Sequence, residues 1–280
     1  MPHRLRPVDE LTPEEVAPLI GVLCDIDDTV TLHGRLVPSA FLAMERLQRA
    51  GLRVIPVTGR PAGWVDHLAR MWPVDGVVGE NGGLWFWMAG GRLHRGFLQS
   101  PEERDRNRRA LDSLAGDILN AVPGTALASD QPYRALDLAI DFCEDVPPLD
   151  ADAVDLIVAA FTQRGATCKV SSIHVNGWFG HFDKLVGFRR LCADLSLSDA
   201  PASWAYIGDS ANDGPMFAHF PLSVGVANVD HFLDRLDVWP RYRTPGQGGH
   251  GFTEFVDVVL ARGAELRPPL PPRPSPPSAP

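Results

Sequence analysis

Three carboxylates stand within four residues at Asp25-Ile26-Asp27-Asp28, followed by Thr29, directly after the apolar run 19–24. Like charges so close repel and raise one another's pKa, so the cluster needs either full solvation or a cation. A solvated acidic loop is the alternative, but a buried strand running into the cluster favours a divalent metal. A second acidic group, Gly208-Asp209-Ser210-Ala211-Asn212-Asp213, also follows an apolar run, 204–207. In a parallel sheet both clusters emerge at the carboxyl edge, where they can share one ion. Oxygen donors without His or Cys select a hard cation, and Mg²⁺ is the one that accompanies phosphate.

Two further features point to an anion. Val57-Thr58-Gly59-Arg60 ends another apolar run and precedes Pro61, placing a hydroxyl and backbone N–H groups at a helix N-terminus. Taken alone it reads equally as an N-cap. Lys184 starts an apolar-faced helix, where the helix dipole disfavours a cation, so a phosphate or carboxylate partner is expected there; a solvated lysine fits the local pattern as well.

The elements that must position these residues alternate. Short apolar runs at 19–25, 53–58, 76–78, 204–209 and 222–226 are separated by helical periodicities after Pro38 and Pro61 and from Lys184 onward. This rhythm predicts an α/β fold with a Rossmann-like doubly wound parallel sheet. Between residues 84 and 180 the rhythm changes. A hairpin turning at Gly90-Gly91, a charged helix over 101–121, a strand at 135–142, a helix over 150–164 and a strand at 167–176 describe an inserted α+β cap domain. The expected organisation is core over 1–83, cap over 84–180, core again over 181–264 with a last helix near 252–262, and a disordered proline-rich tail over 265–280.

Composition narrows the partners. The 280 residues are 45% hydrophobic and 22% charged with a net charge of -9. An acidic chain disfavours nucleic acid, whose binding relies on clustered Lys and Arg. No secretory leader or membrane-length apolar stretch is evident, and Cys24, Cys143, Cys168 and Cys192 show no zinc-ligand spacing. Buried thiols in a reducing cytoplasm are therefore expected.

The ordered set DxDDT, TGR, Lys and GDSAND resembles the haloacid-dehalogenase-like hydrolases over about residues 19–260. The insertion point, between Glu80-Asn81-Gly82-Gly83 and Lys184, is similar to the type IIB cap of sugar-phosphate phosphatases such as sucrose-phosphate and mannosyl-phosphoglycerate phosphatases. Asp28 departs from the glycine common in that group. The resemblance implies that Asp25 is a nucleophile forming an aspartyl-phosphate and that Asp27 is the general acid/base. It further implies that Thr58 and Lys184 hold the phosphoryl oxygens, and that Asp25, Asp209 and the Asp27 carbonyl bind Mg²⁺. Asn212 and Asp213 would position Lys184 and the ligand loop. Gly59, Arg60, Asn81 and Asn212 are the expected substrate contacts from the core.

In the cap, alternation sets Leu136, Leu138, Ile140, Ile173 and Val175 against Asp137, Asp141, Ser172, His174 and Asn176. If the cap helices cover the apolar face, His174 and Asn176 face the substrate and suit sugar hydroxyls. A solvated outer face has comparable weight. Trp178 reads more readily as packing than as a sugar platform. The activity expected is Mg²⁺-dependent hydrolysis of a small phosphorylated metabolite, a sugar phosphate by the resemblance. A phosphomutase and a non-catalytic phosphate-binding protein are the alternatives, and the combination of nucleophile with acid/base argues against the latter.

Overall fold

The computed structural model describes residues 5–171 and 173–264; the expected disordered tail lies outside the described residues, as does Ser172. Six strands form one fully parallel sheet in the order β1 (Arg6–Pro7), β15 (Tyr242–Arg243), β14 (Leu222–Gly225), β13 (Trp204–Gly208), β2 (Gly21–Cys24) and β5 (Arg53–Pro56). Residues of β2 and β13 are buried without exception, as expected of central strands covered on both faces.

One face of the sheet is packed by α2 (Pro38–Arg49) and α8 (Gly248–Ala264), which bury Ala40, Met44, Leu47, Phe252, Phe255 and Val259; α8 also contacts α1 (Pro13–Val16). The other is covered by α6 (Lys184–Asp194) and α7 (Gly214–His219), with Phe188, Leu191, Met216, Phe217 and Phe220 around Trp204 and Tyr206. This is the doubly wound arrangement that the apolar rhythm predicts. After β2 the chain makes a small hairpin, β3 (Thr31–Leu32) and β4 (Arg35–Leu36).

The hairpin expected to open the cap has its strands where predicted, β7 (Leu84–Ala89) and β8 (Arg92–Phe97), with Gly90 and Gly91 both at positive φ. Its partner is β6 (Val77–Gly79), however, and Val57 bridges Val78 in parallel, so the hairpin continues the core side of the molecule. α3 (Ala62–Met71) packs on it.

The inserted layer comprises α4 (Pro101–Ala121), β9 (Ala126–Leu127), β10 (Leu138–Asp141), α5 (Ala151–Gln163), β11 (Thr167–Val170) and β12 (His174–Trp178). A Ser100 capping box starts α4, and Asp150 caps α5. The four strands form an antiparallel sheet in the order β11-β12-β10-β9. Leu111, Leu114 and Ile118 from α4 and Ile157 and Phe161 from α5 pack against Leu138, Ile140 and Val175, so the helices do cover the apolar face.

One element differs from its prediction. Residues 167–176 are not one strand but two, because the Ser171 hydroxyl accepts the N–H groups of Ile173 and His174 and turns the chain. Lys169 therefore pairs with Asn176 across the sheet, and Ile173 leaves the apolar face and borders the cleft described below. Among the described residues no helix is long and apolar enough to cross a membrane.

Candidate active site

The carboxyl ends of β2, β5 and β13 lie side by side, with Cys24 in register with both Pro56 and Ile207. The chain leaves these ends through Asp25, Thr58 and Asp209, so three of the four sequence features meet at one sheet edge. The fourth arrives from α6. Lys184 is 5% exposed, and its Nζ donates to Asp25 Oδ1 at 2.6 Å and to Asp213 Oδ1 at 2.7 Å. Gly82, at φ +104, allows the loop after β6 to lie against the start of α6, where a Cβ would collide with the Asp183 carbonyl.

Asp213 organises the second acidic loop. Its Oδ2 accepts the N–H groups of Asp209 and Ser210, while Oδ1 accepts the Tyr206 hydroxyl as well as Lys184. Asp213 thus holds the Lys184 ammonium together with Asp25. Asn212 instead accepts the Ser210 hydroxyl and borders the cleft.

Burial pushes the Asp25 carboxyl up to about 7; Lys184 opposes the shift, and repulsion from Asp213 and Asp27 adds to it. Asp209 is driven well above the carboxylate range by burial, Asp213 and Asp25. Burial works against the Lys184 ammonium, yet Asp213 and Asp25 raise it overall. Three mutually repelling carboxylates, Asp25, Asp209 and Asp213, around one ammonium leave this pocket short of positive charge.

Asp27 points another way. Arg60 Nε and Nη2 grip its carboxylate at 2.9 and 2.8 Å, while the Arg60 guanidinium stacks over Trp64 and approaches Asp130 and Glu144 at 3.6 and 3.7 Å. Arg60, expected as a substrate contact, is thus committed to Asp27. Thr58 is fully buried, with its hydroxyl accepting the Arg60 N–H. Asp28 takes φ +53 and its side chain accepts the His33 N–H, a local bond that suits an aspartate to a left-handed position where glycine is common.

The polar face of the cap sheet roofs this edge. Gly59, Arg60, Asn81, His174, Asn176 and Asn212 all border one cleft with Asp25, Asp27 and Asp209. The cap residues are tied among themselves, however. Asn176 donates to Asp137, whose carboxylate accepts from Arg134 at 3.0 and 3.1 Å, and His174 Nε2 sits 2.8 Å from Glu144. Arg134 also reaches the Gly59 carbonyl at 3.0 Å and so joins cap to core. Trp178 is 1% exposed and stacks on Phe182, the packing role favoured for it.

Five residues around the site escaped the sequence reading: Glu80, Asp130, Arg134, Glu144 and Lys169. Glu80 is fully buried and accepts backbone N–H groups from Ala62 in the core and from Ala135, Leu136 and Asp137 at the cap entry. A lone acid in the Gly-rich loop after a buried strand was its one available signal. Arg134 and Lys169 carried none, since each is a single charge among ordinary surface residues.

No protein-family model matches the chain. A phosphoglycolate phosphatase of Pyrobaculum neutrophilum is 29% identical over 247 residues, covering 87% of this chain and 96% of the relative. Among solved structures, the sucrose-phosphatase of Synechocystis in complex with sucrose and phosphate superposes with a TM-score of 0.61 at 17% identity, over 86% of this chain and 98% of that one. A haloacid dehalogenase-like hydrolase from Bacteroides thetaiotaomicron gives 0.61 at 14% identity, over 86% and 99%. The parallel core and the inserted cap give this chain the fold of the haloacid-dehalogenase-like hydrolases, with a type IIB-like cap. The relatives that it matches over most of its length are phosphatases.

Proposed function

We propose that the protein hydrolyses a small phosphomonoester with the help of Mg²⁺, through a phosphorylated Asp25. The observation that carries this reading is the Lys184 ammonium, held between Asp25 and Asp213 at the edge where Asp209 and the Thr58 loop also end. In the reaction a carboxylate oxygen of Asp25 attacks phosphorus in line with the leaving oxygen. Asp27 gives that oxygen its proton, the alcohol departs, and Asp27 then takes a proton from the water that cleaves the aspartyl-phosphate. Inorganic phosphate leaves and both carboxyl groups return to their starting states. Lys184, with the Thr58 hydroxyl and the Gly59 backbone, offsets charge on the phosphoryl oxygens.

The donor set fits Mg²⁺. Among the described residues no three or more His, Cys, Asp or Glu side chains are grouped so as to hold a metal ion by themselves. With the Asp27 carboxylate turned to Arg60, the carboxylates of Asp25 and Asp209 and the Asp27 main-chain carbonyl remain. Mg²⁺ is commonly held by one or two carboxylates together with waters and substrate phosphate. Bound there, it would neutralise the two carboxylates and polarise the phosphoryl group.

Phosphate release with Mg²⁺ tests the proposal, over a panel containing 2-phosphoglycolate, hexose phosphates and p-nitrophenyl phosphate. Release from at least one ester with wild-type enzyme, lost in Asp25→Asn, is expected. Phosphoryl exchange between sugar hydroxyls without free phosphate would instead make it a mutase.

A further inference from the structure

We propose that Lys169 is a specificity-determining residue that pairs with an anionic group, a carboxylate, on the leaving alcohol of the substrate. The inference rests on the phosphatase reading above and adds the chemical class of the leaving group.

Lys169 lies on β11, opposite Asn176, on the sheet face that roofs the site, and it borders the same cleft as Asp25, Asp27 and Asp209. It also borders a small adjoining pocket with Trp178, Pro215 and Met216, so it stands where the two spaces meet. The other basic side chains around the cleft already face acidic partners. Arg60 is paired with Asp27 and flanked by Asp130 and Glu144; Arg134 is paired with Asp130 and Asp137; His174 sits against Glu144. Among them only the exposed side chain of Lys169 forms no ion pair or hydrogen bond with the described residues.

On the cap face most of the groups that a neutral sugar would need are spent, and what stays open there beside Lys169 is the Asn176 amide oxygen. Asn176 donates to Asp137, and both Asp137 oxygens accept from Arg134. The Asp141 carboxylate accepts the N–H groups of Cys143, Glu144 and Asp145, and the Ser171 hydroxyl closes its own turn. Sugar hydroxyls are recognised by side chains that both give and take hydrogen bonds, and breaking these internal bonds to supply them would leave buried partners unpaired. A carboxylate needs only donors, and an uncommitted ammonium is one. The phosphoryl group is already served by the core edge, which leaves Lys169 on the leaving-group side.

The test compares two esters of nearly equal size, 2-phosphoglycolate and 2-hydroxyethyl phosphate, with wild type, Lys169→Met and Lys169→Arg. Wild type should prefer the carboxylate ester. Lys169→Met should lose about tenfold to a hundredfold more kcat/KM on 2-phosphoglycolate than on the neutral ester, mainly through KM, with Lys169→Arg recovering part of the loss. Equal losses on both esters would mean that Lys169 serves the phosphoryl group, and the inference falls. No selective loss, with wild type turning over the neutral ester, would also overturn it while leaving the phosphatase reading intact. Phosphate from neither ester, nor from any other phosphomonoester, would sink both.

Discussion

Arg60 grips the carboxylate of Asp27 with Nε at 2.9 Å and Nη2 at 2.8 Å, which aims the side chain assigned to proton transfer away from Asp25 and Asp209. The fork is geometric as well as electrostatic, since a guanidinium binds both oxygens of a carboxylate and an ammonium does not. Arg60→Lys should therefore keep the charge balance near Asp130 and Glu144 and cost only a few degrees in Tm. Turnover of p-nitrophenyl phosphate should fall about tenfold or more, because Asp27 loses its orientation. Unchanged kcat in Arg60→Lys would remove Arg60 from this role.

Asp25→Asn should reduce turnover by at least about a thousandfold, since an amide oxygen does not attack phosphorus. Stability should be kept or raised. Burial and repulsion already disfavour the Asp25 charge, so neutralising it removes a strained interaction while Lys184 keeps Asp213. Near-wild-type turnover by the pure variant would refute the nucleophile, and a collapsed Tm would refute the electrostatic argument.

Metal should act on the same pair. Adding Mg²⁺ to EDTA-treated enzyme should restore activity and raise Tm, because it neutralises Asp25 and Asp209 together in the folded state alone. The Tm increment should vanish in Asp209→Asn, and Ca²⁺ should restore activity poorly because it takes more ligands at longer distances. An undiminished increment in Asp209→Asn would place the ion elsewhere.

Glu80 holds cap to core, and its substitution by glutamine should be costly. The amide can accept at one end only, so its NH₂ would face N–H groups of the cap entry that the carboxylate now satisfies. We expect Glu80→Gln to cost on the order of 2 kcal/mol. Its pH dependence has a definite sign. Burial and Asp137 push the Glu80 carboxyl up to about 7, from an unfolded value of roughly 4.3, while its backbone donors and Arg134 pull the other way. A raised pKa contributes stability that is full below the unfolded value and is lost as pH rises through the folded one. The stability gap between wild type and Glu80→Gln should therefore narrow from pH 5 to pH 8, by on the order of 1 kcal/mol per pH unit at most. Denaturant midpoints across that range check it, and a widening gap would reverse the sign.

The residues proposed to carry the chemistry were legible because their signal is local. An acid, a threonine or a lysine that ends an apolar strand or begins a helix carries its position in its neighbours, and parallel topology then brings the strand ends to one edge. Asp25, Asp27, Thr58, Lys184 and Asp209 were singled out this way and meet at one sheet edge, and the Gly90-Gly91 hairpin and the helices around 101–121 and 150–164 were read correctly. Alternation also identified the polar face of the cap. It could say which way a side chain points, but not whether another side chain meets it there. That was decided by pairings between distant segments: Arg60 with Asp27, Glu80 with the chain at 135–137, and Asp137 with both Arg134 and Asn176. The same limit hid the turn at Ser171, where a hydroxyl taking two backbone N–H groups outweighed an unbroken apolar alternation. Whether a polar group is spent or available depends on the packing of elements far apart in the chain, and Lys169 stands out only after every neighbouring charge has been given its partner.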